Sequence, residues 1–226
     1  MEKQIVSDTT ATNIDPIFEF TRDWFSIYTP SWDRIIGQEK PQKILEIGSF
    51  EGRSACYLIE KCAAIVDGVI SITCVDTWEG SIEHQPGAAA AAIMGDVERR
   101  FDHNTRLALT KAGKPVALRK IKQNSRDALA GLIASGALES FDLIYIDGSH
   151  EAPDVLLDAT MAFPLLRVGG TMIFDDYLWS MQRPGAQDVL LMPKPAIDAF
   201  MNIYQRKMLI YPGFPLRQLY ARKVLA

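Results

Sequence analysis

Five carboxylates and one imidazole in this chain stand where chemistry could be done. Glu46 lies near the end of the apolar run I-L-E-I, Asp76 ends V-I-S-I-T-C-V-D, and Asp147 ends F-D-L-I-Y-I-D. Asp175 and Asp176 follow T-M-I-F, and His150 comes just after Asp147. Acids gathered in one crevice repel each other and raise their own pKa values unless a cation compensates. Hard oxygen donors favour Mg²⁺, Ca²⁺ or Mn²⁺ over zinc, so Asp147, Asp175 and Asp176 are candidate ligands of such an ion, with water or a substrate hydroxyl completing the octahedron. Asp76 can accept both hydroxyls of a ribose, or can cap a turn. Trp78, two residues later, suits a purine ring and suits core packing equally.

These residues need elements that deliver them to one place. Ile44, Leu45 and Ile47 form a buried strand, and Gly48 and Gly52 let the chain turn sharply into a helix over 54–66. The Gly-x-x-x-Gly spacing, with an acid beside it, departs from the Gly-x-Gly-x-x-Gly of a pyrophosphate loop and suits a cationic ligand better. Further strands are expected at 69–76, 116–121, 141–147 and 171–174, with Val168-Gly169-Gly170 as a turn. Helices are expected at 96–110, from Asn124 to about Ser135, at 153–167 and at 196–206. After the third strand, Ser125 can meet a base edge or serve as the helix N-cap. The segments 208–211 and 217–224 read as closing strands joined by a tight connection. The pattern predicts a doubly wound, mostly parallel, seven-stranded α/β sheet of Rossmann-like type with an antiparallel C-terminal hairpin. Ligands of such sheets bind outside the carboxyl ends of the strands, where these acids fall.

Towards the N-terminus, Asp15-Pro16 can start a helix that places Ile17, Phe20, Trp24 and Phe25 on one face, and a second can follow Ser31. Residues 1–40 are expected to form a helical cover or lid, and 41–226 the ligand-binding domain. The chain has 226 residues, 48% of them hydrophobic, enough for one large core. With 24 basic and 28 acidic residues and no basic run, a nucleic-acid footprint is missing. Cys56, Cys62 and Cys74 lack Cys-x-x-Cys spacing and read as buried free thiols, which fits a reducing, cytoplasmic location. No signal peptide and no membrane span is expected.

Taken together, I-L-E-I-G-S-F-E-G-R-S, V-D-T-W, I-D-G-S-H and G-G-T-M-I-F-D-D-Y resemble the class I S-adenosylmethionine-dependent methyltransferases. The chain is most similar to the small-molecule O-methyltransferases of the macrocin and cephalosporin-hydroxylase-like group, methyltransferase domain family 24, and more distantly to catechol O-methyltransferase. The resemblance spans roughly 43–177. It implies that Glu46, Gly48, Ser49 and Gly52 belong to the cofactor loop and that Asp76 lies at the ribose, with Ser54 and Thr77 also among the cofactor-binding residues. It places Trp78 and Ser125 near the adenine, Asp147 among the cofactor residues, and Asp147, Asp175 and Asp176 on Mg²⁺ or another divalent ion. Asp147 or His150 would take the proton of an acceptor hydroxyl.

Three other readings share these residues: an NAD-dependent oxidoreductase, a metal-independent methyltransferase, and a binding protein without turnover. The glycine spacing and the paired Asp175-Asp176 count against the first. The expected partner is a hydroxylated small molecule, chosen by segments at 14–37, 79–95 and 178–195 that carry Trp24, Trp32, Trp179 and Met181, with Tyr177 just before the last. An exposed edge hairpin makes a homodimer reasonable.

Overall fold

The computed structural model describes residues 17–81, 84 and 94–226. Asp15, Pro16 and most of the expected loop 79–95 lie outside them. The strands are β1 (Lys43–Ile47), β2 (Ile70–Asp76), β3 (Val116–Lys122), β4 (Phe141–Ile146), β5 (Leu166–Phe174), β6 (Met208–Ile210) and β7 (Leu219–Lys223). They form one sheet in the order β3-β2-β1-β4-β5-β7-β6. β1 to β5 pair in parallel, and β7 pairs antiparallel with both β5 and β6. The order reverses between β1 and β4, the switch point at which such a sheet opens a crevice at its carboxyl edge.

The helices are α1 (Thr29–Glu39), α2 (Arg53–Ile65), α3 (Val97–Lys111), α4 (Ser125–Ala134), α5 (Ala152–Ala162) and α6 (Pro193–Ile203). Side chains alternate across each strand, so each face of the sheet has its own core. Ile44, Ile72, Cys74, Leu143, Tyr145 and Ile173 pack with α1, α2 and α3. Leu45, Ile47, Val75, Ile144, Ile146 and Met172 pack with α4, α5 and α6. The three cysteines are free and buried, as expected, and burial pushes their thiol pKa values up.

Several expectations need correction. No helix covers 17–25: the backbone N–H of Glu19 goes to Asn104 (2.7 Å) and that of Thr21 to Glu51 (2.7 Å), so neither serves a helical turn. A 3-10 turn at Ser26–Tyr28 leads into the first α-helix, which begins at Thr29 with Pro30 in its first turn. α3 buries Phe101, Asn104, Leu107 and Ala108, with Phe101 and Ala108 against the sheet face. Gly169-Gly170 is no turn, because β5 runs through it, with a register shift opposite Phe141 and Leu143. A side chain at Gly170 would lie 2.8 Å from the Asp142 carbonyl oxygen, so the glycine permits that irregularity. The final hairpin has the long connection 211–218, and β7 is interior while β6 forms the edge.

Candidate functional site

Gly48 fixes the geometry where β1 meets β4. Its φ is 84°, and a Cβ there would lie 1.9 Å from the Asp147 carbonyl oxygen, so only glycine lets the two strand ends come this close. Its N–H donates to the Val75 carbonyl (2.8 Å), and the Asp147 N–H donates to the Ile47 carbonyl (2.8 Å). The ends of β2, β1 and β4 are thereby stitched into one rim.

Glu46 lies beneath this rim, fully buried. Its carboxylate accepts from the Ser49 hydroxyl (2.6 Å) and the Ser54 hydroxyl (2.5 Å), tying the loop to the first turn of α2. Burial raises its pKa despite those two donors. Asp76 Oδ2 accepts the N–H groups of Ser49 and Phe50 (2.8 Å each), and Oδ1 accepts that of Trp78 (2.7 Å). The turn-cap reading of Asp76 is therefore realised, and a ribose would share oxygens that already shape the loop. Trp78 is 7% exposed, donates its indole N–H to the Phe50 carbonyl (2.9 Å) and packs on Phe101, so it braces the loop from inside. The Thr77 hydroxyl accepts the N–H of Glu79 (3.2 Å). Ser125 opens α4 but is not its cap; Asn124 holds that position and accepts from the Asp127 N–H.

The acids beyond β4 and β5 behave differently. Ligand atoms of Asp147, His150 and Asp176 all lie within 4.8 Å of one another, a grouping able to hold a metal ion. His150 Nε2 is 2.7 Å from Asp176 Oδ2, and the imidazole stacks on Trp179 with ring centroids 4.0 Å apart. Asp176 itself is held at φ 52°, a conformation uncommon outside glycine. Asp175, expected among the ligands, falls outside this grouping. It is 8% exposed and turned inward, accepting from the Tyr145 hydroxyl and from the Asp176 N–H. His150 completes the grouping instead. Burial, then the charges of Asp175 and Asp176, push the Asp147 carboxyl well above the usual range. Burial and Asp176 do the same to Asp175.

Sequence reasoning missed the supports of this site. Tyr145, 1% exposed, reaches both Asp147 Oδ2 (2.9 Å) and Asp175, and its ring meets Trp32 edge-on at 4.8 Å. Trp32, counted among the lid aromatics, is fully buried there, and its indole donates to Gln218 (2.9 Å). Tyr28 lies near the same acids: burial, then Asp175, Asp176 and Asp147, raise its phenol pKa. Glu51 is 1% exposed and joins the loop to Arg100 (2.5 Å) and to Thr21 (2.7 and 2.8 Å). A phenol on the apolar strand L-I-Y-I and a charge inside the Gly-x-x-x-Gly loop were the available signals.

Comparison with known proteins agrees with this architecture. No curated protein matches the chain. An O-methyltransferase from Bacillus cereus in complex with S-adenosylhomocysteine is 17% identical, with a TM-score of 0.55 over 90% of this chain and 84% of that one. TomG from Streptomyces achromogenes, an O-methyltransferase of tomaymycin synthesis in complex with S-adenosylmethionine, is 16% identical, with a TM-score of 0.56 over 89% and 82%. At these identities the likeness establishes the fold. The profile of a methyltransferase-domain family matches residues 45–177, more than half of the sequence, including every strand end described above. The chain therefore belongs to that methyltransferase family.

Proposed function

We propose that this protein moves the methyl group of S-adenosylmethionine to a hydroxyl oxygen of a small molecule, and that Asp147, His150 and Asp176 hold a divalent cation beside the acceptor. The observation that carries the reading is the joining of two features at one rim. The Gly48–Gly52 loop meets the Asp147 backbone, and Asp147 begins the acid and imidazole grouping. Two carboxylates and an imidazole fit Mn²⁺ well and Mg²⁺ acceptably, and their mutual repulsion gives a cation something to relieve. The methyl donor supplies a sulfonium leaving group; the cation supplies Lewis acidity toward a hydroxyl. Positioning is then the main task of the chain.

Gly48, Ser49 and Gly52 let the loop approach the donor, with Glu46, Ser54 and Glu51 holding the loop's shape. Asp76 and Thr77 are assigned to the ribose. Trp78 acts by bracing the loop, and Ser125 stands at the base end. Tyr145 engages Asp147 Oδ2 and so leaves Oδ1 to meet a ligand or receive the acceptor proton. Trp24, 53% exposed and 5.3 Å from Phe50, and Trp179 over His150 offer flat surfaces to an apolar or sugar-bearing acceptor. The same reading places the protein in the cytosol, treats residues 17–40, the described part of the expected 1–40 segment, as a cover over the ligand domain, and has the β6 edge, with exposed Leu209 and Ile210, meet a second copy.

The short His150–Asp176 contact favours a second reading in which no metal is used and His150, held by Asp176, is the base. The test is methyl transfer from labelled donor to a panel of hydroxylated acceptors, with Mn²⁺ or Mg²⁺ and with chelator. Transfer that chelator abolishes supports the metal reading. Transfer indifferent to chelator selects the dyad, and absence of transfer to any hydroxyl, with transfer to an amine or thiol, would refute O-methylation.

A further inference from the structure

The amino edge of the same sheet carries a second polar site. Along β2, Ile70, Ile72 and Cys74 point to one face and are fully buried. Ser71 and Thr73 point to the other, the face that Leu45 and Ile121 share with α4. Both faces of an interior strand in a doubly wound sheet are ordinarily apolar, so the two hydroxyls mark an exception. α4 ends at Ala134 and the chain turns away at Gly136 (φ 81°). A cleft of about 360 Å³ opens there, with Lys43, Ser71, Thr73, Arg119 and Ser140 on its walls.

Register places Lys43 beside Ser71 on one side and Thr73 beside Arg119 on the other, so two cations bracket two hydroxyls. No carboxylate lines the cleft. Among the described residues neither cation makes an ion pair, and neither the Ser71 nor the Thr73 hydroxyl makes a hydrogen bond. Lys43 Nζ stands 5.0 Å from the Phe141 ring centroid, a contact that leaves its three N–H donors unspent. This is a positive pocket in a protein of net charge −4. A guanidinium fork, an ammonium and two hydroxyls match the oxygens of a phosphate, and the volume admits a small metabolite attached to it. We propose that this cleft binds the phosphate group of a small phosphorylated metabolite, at the sheet edge opposite the methyl-transfer site.

Amide NMR titration of the full chain with inorganic phosphate, and with a hexose phosphate against the free hexose, tests the proposal. Saturable shifts are expected at Lys43, Ser71, Thr73 and Arg119 with phosphate and hexose phosphate but not with hexose. Arg119→Gln and Lys43→Gln should each weaken binding at least tenfold while S-adenosylhomocysteine binding at the other edge is unchanged. Shifts reproduced by chloride at equal ionic strength, their absence, or full binding by the double variant would overturn it. The wild-type titration alone decides the matter if a variant fails to fold.

Discussion

β4 carries an acid near each of its ends, and the two are treated in opposite ways. Asp142, the second residue of β4, accepts the N–H groups of Gln42 (2.8 Å) and Lys43 (2.7 Å) and an N–H of Arg167 (2.5 Å). Burial pushes its pKa up, but these donors outweigh that and hold it below the usual carboxylate value. Asp147, just past the other end, is buried beside Asp175 and Asp176, and burial, then those two charges, drive its pKa up against the opposing hydrogen bond from the Tyr145 phenol. A structural acid comes with its own cation and donors. An acid left among like charges is poised for a cation from outside, which is why the carboxyl rim is assigned the chemistry.

The comparison can be broken most severely at the rim. Gly48→Ala would set a methyl group 1.9 Å from the Asp147 carbonyl at φ 84°. We expect loss of S-adenosylhomocysteine binding and a stability cost of about 3 kcal/mol or more, read by calorimetry and thermal unfolding. Asp176→Ala should reduce methyl transfer by about 100-fold or more. Because it removes one of three crowded charges, it should leave the melting temperature of the metal-free protein unchanged or higher; a marked fall would show that Asp176 is structural.

Asp158 on α5 separates burial from like-charge crowding. It is 1% exposed, and burial raises its pKa to about 7, with Ser125 opposing and Asp154 adding to the shift. Between its unfolded value near 3.8 and about 7 the folded state binds more protons than the unfolded state. Stability should therefore fall as pH rises through that window and level off above it, by at most about 1.4 kcal/mol per pH unit. Asp158→Asn should remove its share of this slope in urea titrations at stepped pH, with the raised Glu46, Asp147 and Asp175 carboxyls keeping theirs; an unaltered slope would assign all of it to those groups. The smallest effect is expected at the amino edge. There Asp142→Asn should cost about 1 to 2 kcal/mol in urea unfolding and leave turnover unchanged, whereas a loss of turnover would erase the contrast between the two ends of β4.

The apolar runs I-L-E-I, V-I-S-I-T-C-V-D and F-D-L-I-Y-I were enough to place β1, β2 and β4 and the edge where the acids gather, because a short run buried on both faces is a local signal. What it could not resolve were choices made by distant partners. Glu19 and Thr21 give their N–H groups to Asn104 and Glu51 instead of a helical turn, and Asp175, which accepts from Tyr145, falls outside the Asp147, His150 and Asp176 grouping. Asp76 illustrates the same limit, since the sequence admits both a ribose acceptor and a turn cap, and only the fold shows three N–H groups already upon it.

The most direct test of the central claim is a calorimetric titration with S-adenosylhomocysteine, run with Mg²⁺ and with chelator, and with NAD as the control ligand. The account predicts saturable binding of S-adenosylhomocysteine in both conditions and none of NAD. A clear NAD signal with no response to S-adenosylhomocysteine would contradict it, and would make the Gly48 loop and Asp76 a dinucleotide site.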